Sequence, residues 1–511
     1  MLKKVQLLLD FEESLESHLK SRYPGLKDFR IISKALDARG ASRGKRPAVS
    51  YSVEIIFQGD QFIYHQEVFK KVLPLQFMPI IVGTGPAGIF LALRLLEYGI
   101  PSLLLERGDE ANKRMLTIGK FWRKGQLDPD SNICYGEGGA GLFSDGKLIT
   151  RVKSPFIPYV MQRLVDFGAP SEVAYTSNPH LGSNKIRPLI AKLTQYLKER
   201  GCIIRYRTKM SEVLFSANKV SGVRLETGEV IYSNRVILAT GHSATEIYLQ
   251  LKNQVELKAK DYAVGVRIEH PRALIDRLQH GEFFKSTDLG AARYRLSYQD
   301  QSDEVGTYSF CMCPGGHVLS SGTEKKGLVV NGMSNFARNS PWSNAALVVA
   351  VKAGVDYNLD IESAIKYQHT IEEKCFSYSQ IHASGKEIPA QRLMDFLQGT
   401  KSKTLPHTSC PSGIISAPLY DLLPKNVVTH LQVALEQFNI QLKGFKSEEA
   451  LLLAPETRTS SPITIVRDPV TLQTSQKAGL YPCGEGAGYA GGITSAACDG
   501  VKVAEAIVRE L

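Results

Sequence analysis

The stretch Ile80-Ile81-Val82-Gly83-Thr84-Gly85-Pro86-Ala87-Gly88 decides the fold of this chain. An apolar run enters a glycine cluster, a helical pattern over residues 89–98 leaves it, and a second apolar run ends in Glu106. Strand, turn, helix, strand and acid therefore follow one another at the spacing of a dinucleotide-binding βαβ unit. The pattern predicts a Rossmann-like α/β fold around a parallel sheet.

The glycines of this fingerprint have separate physical roles. Gly83 permits the tight turn, Gly85 lets a pyrophosphate approach the backbone, and Gly88 lets the helix pack closely on the strand. Pro86 and Ala87 open the helix, whose free N–H groups and positive dipole end attract phosphates. The stretch therefore predicts a binding site for a dinucleotide phosphate.

Glu106 lies where a carboxylate accepts a hydrogen bond from a ribose hydroxyl. An acid instead of an arginine at this position argues against NADP in this site, and the fingerprint alone leaves NAD and FAD open. Arg107, the next residue, has two interpretations: it covers the adenine or a phosphate, or it is a surface arginine.

The composition is that of an ordinary globular protein, with 511 residues, 43% hydrophobic and 22% charged. This length accommodates two or three domains. There is no apolar run of membrane-spanning length, and residues 5–9 are too short for a signal-peptide core. We therefore expect a soluble, cytoplasmic protein without membrane contact. The net charge of +11 favours anionic cofactors and substrates.

One local cluster of basic residues stands out, formed by Arg39, Arg43, Lys45 and Arg46. A solvated turn between two strands is the main interpretation, and contact with nucleic acid is the minor one.

The eight cysteines include no C-x-x-C pair, and the only close pair is Cys311-Met312-Cys313. On a regular strand both thiols point to one face, with Cα atoms about 6.6 Å apart, so a local disulfide would be strained. The spacing fits no common zinc site, and we expect reduced thiols and no metal. Cys134 and Cys313 are the thiols in glycine-rich surroundings, where a redox role and simple burial are the alternatives.

Changes of pattern divide the chain into four segments. Residues 1–75 form a small α/β unit, with strand-like residues 5–9, helical residues 11–21 and a hairpin of residues 30–38 and 48–57 around the basic turn. The predicted segments are the N-terminal α/β domain (1–75), the first part of the dinucleotide domain (76–260), an inserted mixed α+β substrate domain (261–447) and the C-terminal part of the dinucleotide domain (448–511).

Further glycine-rich pieces lie outside the fingerprint. Residues 134–147 form a second loop, in which Gly138, Gly139 and Ala140 let the backbone lie flat against a ligand. A β-meander follows, and Met210 within it either offers backbone groups to an adenine or is a plain strand residue. Near the C-terminus, a strand over residues 480–483 enters the glycine-rich residues 484–492 and a helical pattern over residues 493–508.

Three features together resemble the two-dinucleotide-fold FAD flavoproteins, the glutathione-reductase-like superfamily. They are the fingerprint with its distal acid, the strand end at Thr240-Gly241, and the C-terminal strand that leads through Gly484 and Glu485 into a helix. The resemblance implies that the cofactor is FAD. It further implies that Glu485 binds the ribityl chain and that the helix beginning at Gly491-Gly492-Ile493 points at the flavin pyrimidine.

Longer motifs resemble an uncharacterised bacterial family called FAD-dependent dehydrogenase or NAD(FAD)-utilising dehydrogenase, over nearly the whole chain. One departure from its pattern is residues 409–413. The motifs are GEGGAG (136–141), FSDGKL (143–148), GVRIEHP (265–271), FCMCPGG (310–316), NGMS (331–334), ETRTSSP (456–462) and GEGAGYAGGI (484–493).

The candidates for catalysis are His180, Arg267, Glu269 and Arg458. His180 is either a proton donor, because its ordinary pKa suits acid–base work near neutrality, or a hydrogen-bonded loop histidine. Arg267 and Glu269 share one face of a strand, and Arg458 follows Glu456 at the same spacing. Each arginine either binds a substrate carboxylate or forms a structural ion pair with the glutamate two residues away.

These observations predict an FAD-dependent oxidoreductase that transfers a hydride between flavin and a small organic substrate or NAD(P)H. No second fingerprint introduces a NAD domain, so NAD(P)H would bind transiently at the flavin face. The alternatives are a flavoprotein scaffold that binds a protein partner and, more weakly, a flavin-dependent RNA-modifying enzyme that uses the basic N-terminal turn. The sequence leaves the substrate and the oligomeric state open.

Overall fold

A computed structural model describes residues 2–62 and 67–511 of the chain. The strands, in chain order, are β1 (Lys3–Asp10), β2 (Leu26–Asp37), β3 (Ala48–Phe57), β4 (Ile80–Val82), β5 (Leu103–Leu105), β6 (Ile203–Arg205), β7 (Met210–Ser216), β8 (Lys219–Leu225), β9 (Val230–Tyr232), β10 (Val236–Leu238), β11 (Leu257–Ala259), β12 (Tyr262–Pro271), β13 (Ser297–Gln299), β14 (Gly306–Cys313), β15 (His317–Ser320), β16 (Val330–Met333), β17 (Trp342–Val351), β18 (Ile388–Arg392), β19 (Ile414–Ser416), β20 (Leu451–Glu456), β21 (Ile463–Ile465) and β22 (Leu480–Pro482).

The helices surround these strands. In chain order they are α1 (Leu15–Arg22), α2 (Pro86–Glu97), α3 (Ala111–Lys124), α4 (Ile157–Asp166), α5 (Gly182–Glu199), α6 (Thr245–Leu251), α7 (Arg272–His280), α8 (Ile361–His382), α9 (Leu393–Leu397), α10 (Leu419–Leu422), α11 (Lys425–Gln441) and α12 (Ile493–Arg509). Within the described part of the chain, no helix is both long enough and apolar enough to cross a bilayer.

The N-terminal unit is a three-stranded antiparallel sheet in the order β1-β3-β2, covered by α1. The observed sheet confirms the predicted strands and hairpin. Alternate residues of β1 such as Val5, Leu7 and Leu9 are buried, as expected for a strand with one face on the core. The helix begins at Leu15, later than the pattern indicated, because the Ser14 hydroxyl accepts a hydrogen bond from the backbone N–H of Ser17 and caps it.

Carboxylates neutralise part of the basic turn between β2 and β3. Arg39 forms an ion pair with Asp37, and Arg46 pairs with Asp10 and Glu12. These contacts occupy two of the four basic side chains, and contact of this turn with nucleic acid stays the minor prediction.

The fingerprint lies in a five-stranded parallel sheet with the order β22-β10-β4-β5-β6. The chain therefore runs from β4 to β5 on one side and reaches β10 and β22 on the other. Such a reversal creates a crevice at the carboxyl ends of the strands, where ligands of doubly wound folds bind. The sheet confirms the predicted Rossmann-like domain, assembled from two distant parts of the chain.

Two backbone contacts explain the spacing of the fingerprint glycines. A Cβ atom on Gly83 would lie 2.3 Å from the Ala239 carbonyl oxygen of the neighbouring strand end, and one on Gly88 would lie 2.1 Å from the Gly83 carbonyl oxygen. Neither gap admits a side chain, because real carbon atoms do not approach oxygen so closely. The first contact seats the turn on β10, and the second packs α2 onto β4.

A second, seven-stranded sheet occupies the middle of the chain, in the order β13-β14-β17-β12-β20-β18-β19. Neighbours in it are antiparallel except for the parallel pair β18 and β19. The helices α8 and α11 pack against it around a separate hydrophobic core. The strand β20 belongs to this sheet although it lies beyond residue 447, the predicted end of the inserted domain.

The contact between α2 and α12 generates the first testable prediction. Alanine normally stabilises a helix by about 1 kcal/mol relative to glycine. A Cβ at position 500 in α12 would lie 2.2 Å from the Ala87 carbonyl oxygen of α2. We therefore expect Gly500→Ala to reverse the usual sign and to lower the free energy of unfolding by about 1–3 kcal/mol.

Gly119→Ala in α3 is the matched control, because its Cβ would meet only the movable end of Arg123, at 3.2 Å. It should stabilise the protein slightly. Urea denaturation of both variants measures the two effects, and equal stabilisation by both would contradict the described helix packing.

Candidate active site

Four loops meet at the carboxyl edge of the parallel sheet. The fingerprint turn follows β4, and the second glycine-rich loop lies across it, because the Gly138 N–H donates to the Thr84 carbonyl at 2.9 Å. Gly139 and Ala140 continue along this turn and lead into a short 3₁₀ helix over Ala140–Phe143. The structure thus brings together the first two predicted glycine-rich segments, which lie about 50 residues apart in the sequence.

Glu106 holds these loops in place. One carboxylate oxygen accepts the backbone N–H groups of Gly108 and Gly136, each at 2.9 Å. The other accepts the Thr84 N–H at 3.0 Å and the Thr84 hydroxyl at 2.7 Å. Four donors fill the usual acceptor capacity of a carboxylate, so this buried acid has a structural function that its position after β5 alone did not indicate.

Arg107 is engaged by protein groups. Its guanidinium pairs with Asp130 at 2.6 Å and Glu246 at 2.7 Å and lies over the Tyr135 ring, 4.1 Å from its centroid. These residues, with Lys209, line a cavity of about 300 Å³. Arg107 is therefore neither a free surface arginine nor a free phosphate ligand, but part of a cavity wall.

Met210 is the first residue of β7 and pairs with Leu225 of β8. Its side chain is buried in the core on one side of the parallel sheet, with Val82 and Leu105. The structure places it near the strands that carry the fingerprint, and its contact with an adenine stays a prediction.

The C-terminal turn lies beside the end of β10. The Cys483 N–H donates to the Leu238 carbonyl at 3.0 Å, which sets Gly484 and Glu485 next to the predicted Thr240 and Gly241. The Gly484 N–H donates to the Asp499 carboxylate of α12 at 2.7 Å. A buried ion pair between Asp499 and Arg467, at 2.6 Å, fixes that carboxylate in turn.

Glu485 differs from the other acids at this edge. Within the described residues, no group donates a hydrogen bond to its carboxylate, although the side chain is partly buried. Burial raises its pKa to about 7, and Lys260 nearby opposes that change. The carboxylate therefore has acceptor capacity available for a ligand hydroxyl.

The helix α12 begins at Ile493, with the exposed Gly491 and Gly492 before it. Its first backbone N–H groups have no partner within the helix, as at any helix N-terminus. Thr494, in the first turn, donates its hydroxyl to the Leu148 carbonyl at 2.8 Å. This bond ties the start of α12 to the loop that follows the second glycine-rich segment.

Both candidate catalytic arginines form buried ion pairs with distant acids. Arg267, with no exposed surface, pairs with Glu456 at 2.8 Å and donates to Asn344 at 2.8 Å. Arg458 pairs with Glu372 through two hydrogen bonds of 2.7 Å. The structure therefore supports the ion-pair interpretation, with partners other than the acids two residues away. Only the buried Nη1 of Arg458 has no hydrogen-bond partner among the atoms of these two guanidinium groups in the described residues.

Glu269 and His180 are also held by protein groups. The Glu269 carboxylate accepts the Thr408 hydroxyl at 2.7 Å together with the hydroxyl and N–H of Ser409, which anchors residues 409–413. The His180 ring stacks on Phe336 and contacts its carbonyl oxygen at 3.0 Å. Burial and the nearby Arg338 lower the pKa of His180 to about 4, so it is neutral near pH 7, which argues against its predicted role as proton donor.

A charged cluster that the sequence analysis did not single out lies between the two sheets' loops. Asp145 is buried and pairs with Arg338, with Lys147 3.5 Å away. Arg293 lies near this cluster, and no described residue accepts a hydrogen bond from its guanidinium. The motif FSDGKL contained Asp145 and Lys147, but Arg338, the partner of Asp145, lies 193 residues further along the chain.

This arrangement fits an extended dinucleotide. Gly85 is the residue before α2, and a Cβ there would meet only the Cα of Gly139, at 3.9 Å, so a phosphate can approach the backbone. The unpaired Glu485 carboxylate and the open positions at Gly491 and Gly492 lie along the same edge. The helices α2 and α12 both begin at this edge, because each of them follows a strand of the parallel sheet.

Comparisons with known proteins identify related chains. The family described as "FAD-dependent protein, C-terminal domain-like" matches residues 261–459. An uncharacterized protein of Clostridium beijerinckii is 36% identical over 498 residues, which cover 94% of this chain and 92% of that protein.

Two relatives match the chain over a smaller part. Protein FixC of Escherichia coli K12 is 30% identical over 211 residues, covering 40% of this chain and 46% of FixC. The NADH:fumarate oxidoreductase of Klebsiella pneumoniae is 22% identical over 278 residues, covering 50% of this chain and 29% of that enzyme. The chain thus spans less than half the length of either relative.

The raised pKa of Glu485 generates a prediction about stability without a bound cofactor. In the unfolded chain this acid ionises near 4.5, whereas in the folded protein it stays protonated up to about pH 7. Its contribution to stability is therefore lost as the pH rises from about 4.5 through 7. As the pH rises over this range, we expect the free energy of unfolding of Glu485→Gln to increase relative to that of the parent, by at most about 3 kcal/mol.

Chemical denaturation of the cofactor-free proteins at several pH values measures this difference. Glu373→Gln, at an exposed position of α8, is the control and should follow the parent. A constant difference between Glu485→Gln and the parent from pH 4.5 to 8 would contradict the assignment of a buried, unpaired carboxylate.

Proposed function

We propose that this chain is an FAD oxidoreductase, because its residues 261–459 match the family described as "FAD-dependent protein, C-terminal domain-like". The chain belongs to one family with the Clostridium beijerinckii protein, to which it is similar over nearly its whole length. Its flavin would exchange a hydride with a small organic molecule or with NAD(P)H. The bound flavin supplies the electron chemistry, and the protein binds, orients and tunes it. The oxidoreductase name of the Klebsiella relative agrees with this class of reaction.

The observation that carries the proposal is the pairing of two helix N-termini at one sheet edge with a free acid between the loops. The helix α2 offers its N–H groups to the pyrophosphate next to Gly85. The helix α12 would stabilise negative charge on the flavin pyrimidine by about 0.3–1 kcal/mol, or up to about 2 kcal/mol where water is excluded. The Glu485 carboxylate would accept hydrogen bonds from the ribityl hydroxyls.

The adenosine end would lie at the other end of this edge, near Glu106. Because four donors already occupy the Glu106 carboxylate, a ribose hydroxyl can join only if one of them moves away. The Thr84 hydroxyl is the donor that can rotate, since the three backbone N–H groups are fixed by their loops. The cavity beside Arg107 and Tyr135 has room for the adenine ring.

An anionic substrate is supported by Arg293. Burial lowers the pKa of this guanidinium to about 10, and it has no hydrogen-bond acceptor among the described residues. A partly buried cation without a partner is costly unless a ligand completes it. Arg293 is therefore our first candidate for binding a substrate carboxylate, because Arg267 and Arg458 each already form an ion pair with a buried acid. Arg458 is the second candidate, since its buried Nη1 has no hydrogen-bond partner among the described residues.

Two measurements test the proposal. The purified protein should be yellow with flavin absorbance, and a protein that neither carries nor takes up FAD would refute it. Anaerobic titration with NADH, NADPH and a panel of organic acids should bleach the flavin with at least one of them. If none reduces it and no oxidised substrate reoxidises the reduced flavin, the FAD is structural and the scaffold alternative is favoured.

Gly85→Ala tests the phosphate position specifically. The backbone at this residue has φ −73°, and the added methyl group has ordinary packing distances, so the fold should be unchanged. The methyl group would, however, occupy the surface that the pyrophosphate approaches. We expect the FAD dissociation constant to rise at least about tenfold, which corresponds to about 1.4 kcal/mol.

Flavin fluorescence on titration of the cofactor-free protein with FAD measures this constant. Gly306→Ala is the control, because the added Cβ there has no neighbour within 4 Å and lies in the second sheet. Unchanged FAD affinity in Gly85→Ala, with both variants folded, would contradict the phosphate assignment.

A further inference from the structure

The strand β14 ends in a bulge that carries Cys311, Met312 and Cys313. Its register with β17 shifts between Phe310 and Cys313, and Cys311 has φ 43°, in the left-handed region. Left-handed backbone is uncommon for residues other than glycine and concentrates at functional sites. The bulge therefore removes the regular spacing on which the expectation of a strained local disulfide depended.

The bulge brings the two cysteines into direct contact. The Cys313 thiol donates a hydrogen bond to the Cys311 carbonyl oxygen at 3.4 Å, so its sulfur lies against residue 311. Both are free thiols; Cys313 is fully buried, whereas Cys311 is partly exposed. This is the arrangement of an accessible attacking thiol with a buried resolving thiol beside it.

Two cations lie next to the pair. Lys147 donates to the Met312 carbonyl, and Arg267 donates to the Cys311 carbonyl at 3.3 Å. The Cys313 thiol and then these two cations hold the pKa of Cys311 well below its usual range, against burial and Asp145, which raise it. The pKa values of the other seven cysteines are raised instead, and for six of them burial is the main cause.

The pair lies beside the edge assigned to the flavin. Lys147 precedes Leu148, whose carbonyl accepts the hydroxyl of Thr494 in the first turn of α12. Glu485 is also close enough to Cys311 for the two charges to interact. One short loop therefore connects the cysteine bulge with the helix N-terminus that we assigned to the flavin pyrimidine.

We propose that Cys311 and Cys313 form a redox-active dithiol that exchanges two electrons with the bound flavin, an inference that rests on the proposed function. Oxidation of the pair removes two electrons and one proton from a Cys311 thiolate and a Cys313 thiol and forms one sulfur–sulfur bond. Oxidised FAD is the acceptor of the two electrons and the proton. The reverse step breaks the disulfide with electrons from reduced flavin.

The first test needs no flavin. Cofactor-free protein is equilibrated in mixtures of reduced and oxidised dithiothreitol, alkylated with N-ethylmaleimide and digested with trypsin. The peptide of residues 296–325 contains both cysteines of the pair and no other cysteine. It should change from doubly alkylated to an unalkylated form that has lost two hydrogen atoms, as the mixture becomes more oxidising.

Cys311→Ser should abolish this transition and leave one alkylated thiol in every mixture, whereas Cys375→Ser, at a buried position of α8, should leave it unchanged. Circular dichroism confirms that each variant is folded. A peptide that stays doubly alkylated even in fully oxidised dithiothreitol would overturn the proposal.

The second test uses the protein with FAD bound. Anaerobic titration with dithionite after oxidation should consume four electrons per flavin in the parent and two in Cys311→Ser. Two electrons in both proteins would overturn the exchange with flavin even if the disulfide forms. Failure of the proposed function is recognised separately, because a protein that binds no FAD refutes the exchange while the peptide still reports the dithiol.

Lys147→Gln tests the electrostatic part of the inference, because glutamine keeps a donor near the Met312 carbonyl and removes the charge. Alkylation of Cys311 by limiting iodoacetamide at pH 7 should slow at least about threefold, since the thiolate is the reactive form. Lys153→Gln, at an exposed position, should react like the parent. Equal rates in all three proteins would overturn the role of Lys147.

Discussion

The site depends on one buried carboxylate. Glu106 binds the backbone N–H groups of Thr84, Gly108 and Gly136, which belong to three separate loops at the edge of the parallel sheet. A charged acceptor forms shorter and stronger hydrogen bonds than a neutral one, and burial strengthens them further. Without it, three backbone donors would be buried and unsatisfied, so the acid preorganises the glycine loops before any ligand arrives.

The hydrogen bonds of Glu106 also decide on which edge of the parallel sheet the site lies. The loops held by Glu106 lie at the carboxyl ends of the strands, where α2 begins, and the parallel register of β22 brings the start of α12 to the same edge. In the proposed function, one helix end would face the phosphates and the other would face the opposite end of a long ligand. Buried pairs such as Asp499 with Arg467 then fix the second helix relative to the strand before it.

Features of the fold that depend on neighbouring residues could be predicted from the sequence. The fingerprint, the strand–turn–helix order and the alternation of Val5, Leu7 and Leu9 depend on residues close together in the chain, and the structure confirms them. The partners of Arg267 and Arg458 were predicted wrongly, because Glu456 and Glu372 lie 189 and 86 residues away and only the second sheet and α8 bring them near. Neither periodicity nor spacing contains this information.

Hydrogen bonds and ion pairs separate the groups that build the site from those that remain available for chemistry. The buried guanidinium of Arg267 donates to Glu456, Asn344, Asn331 and the Cys311 carbonyl, so none of its three nitrogens is left for a substrate carboxylate. Glu485, Arg293 and the thiol of Cys311 are the reverse case, since their charges are only partly compensated by neighbouring residues. Because an uncompensated buried charge is costly, its persistence at one edge of the fold indicates where ligands complete the structure.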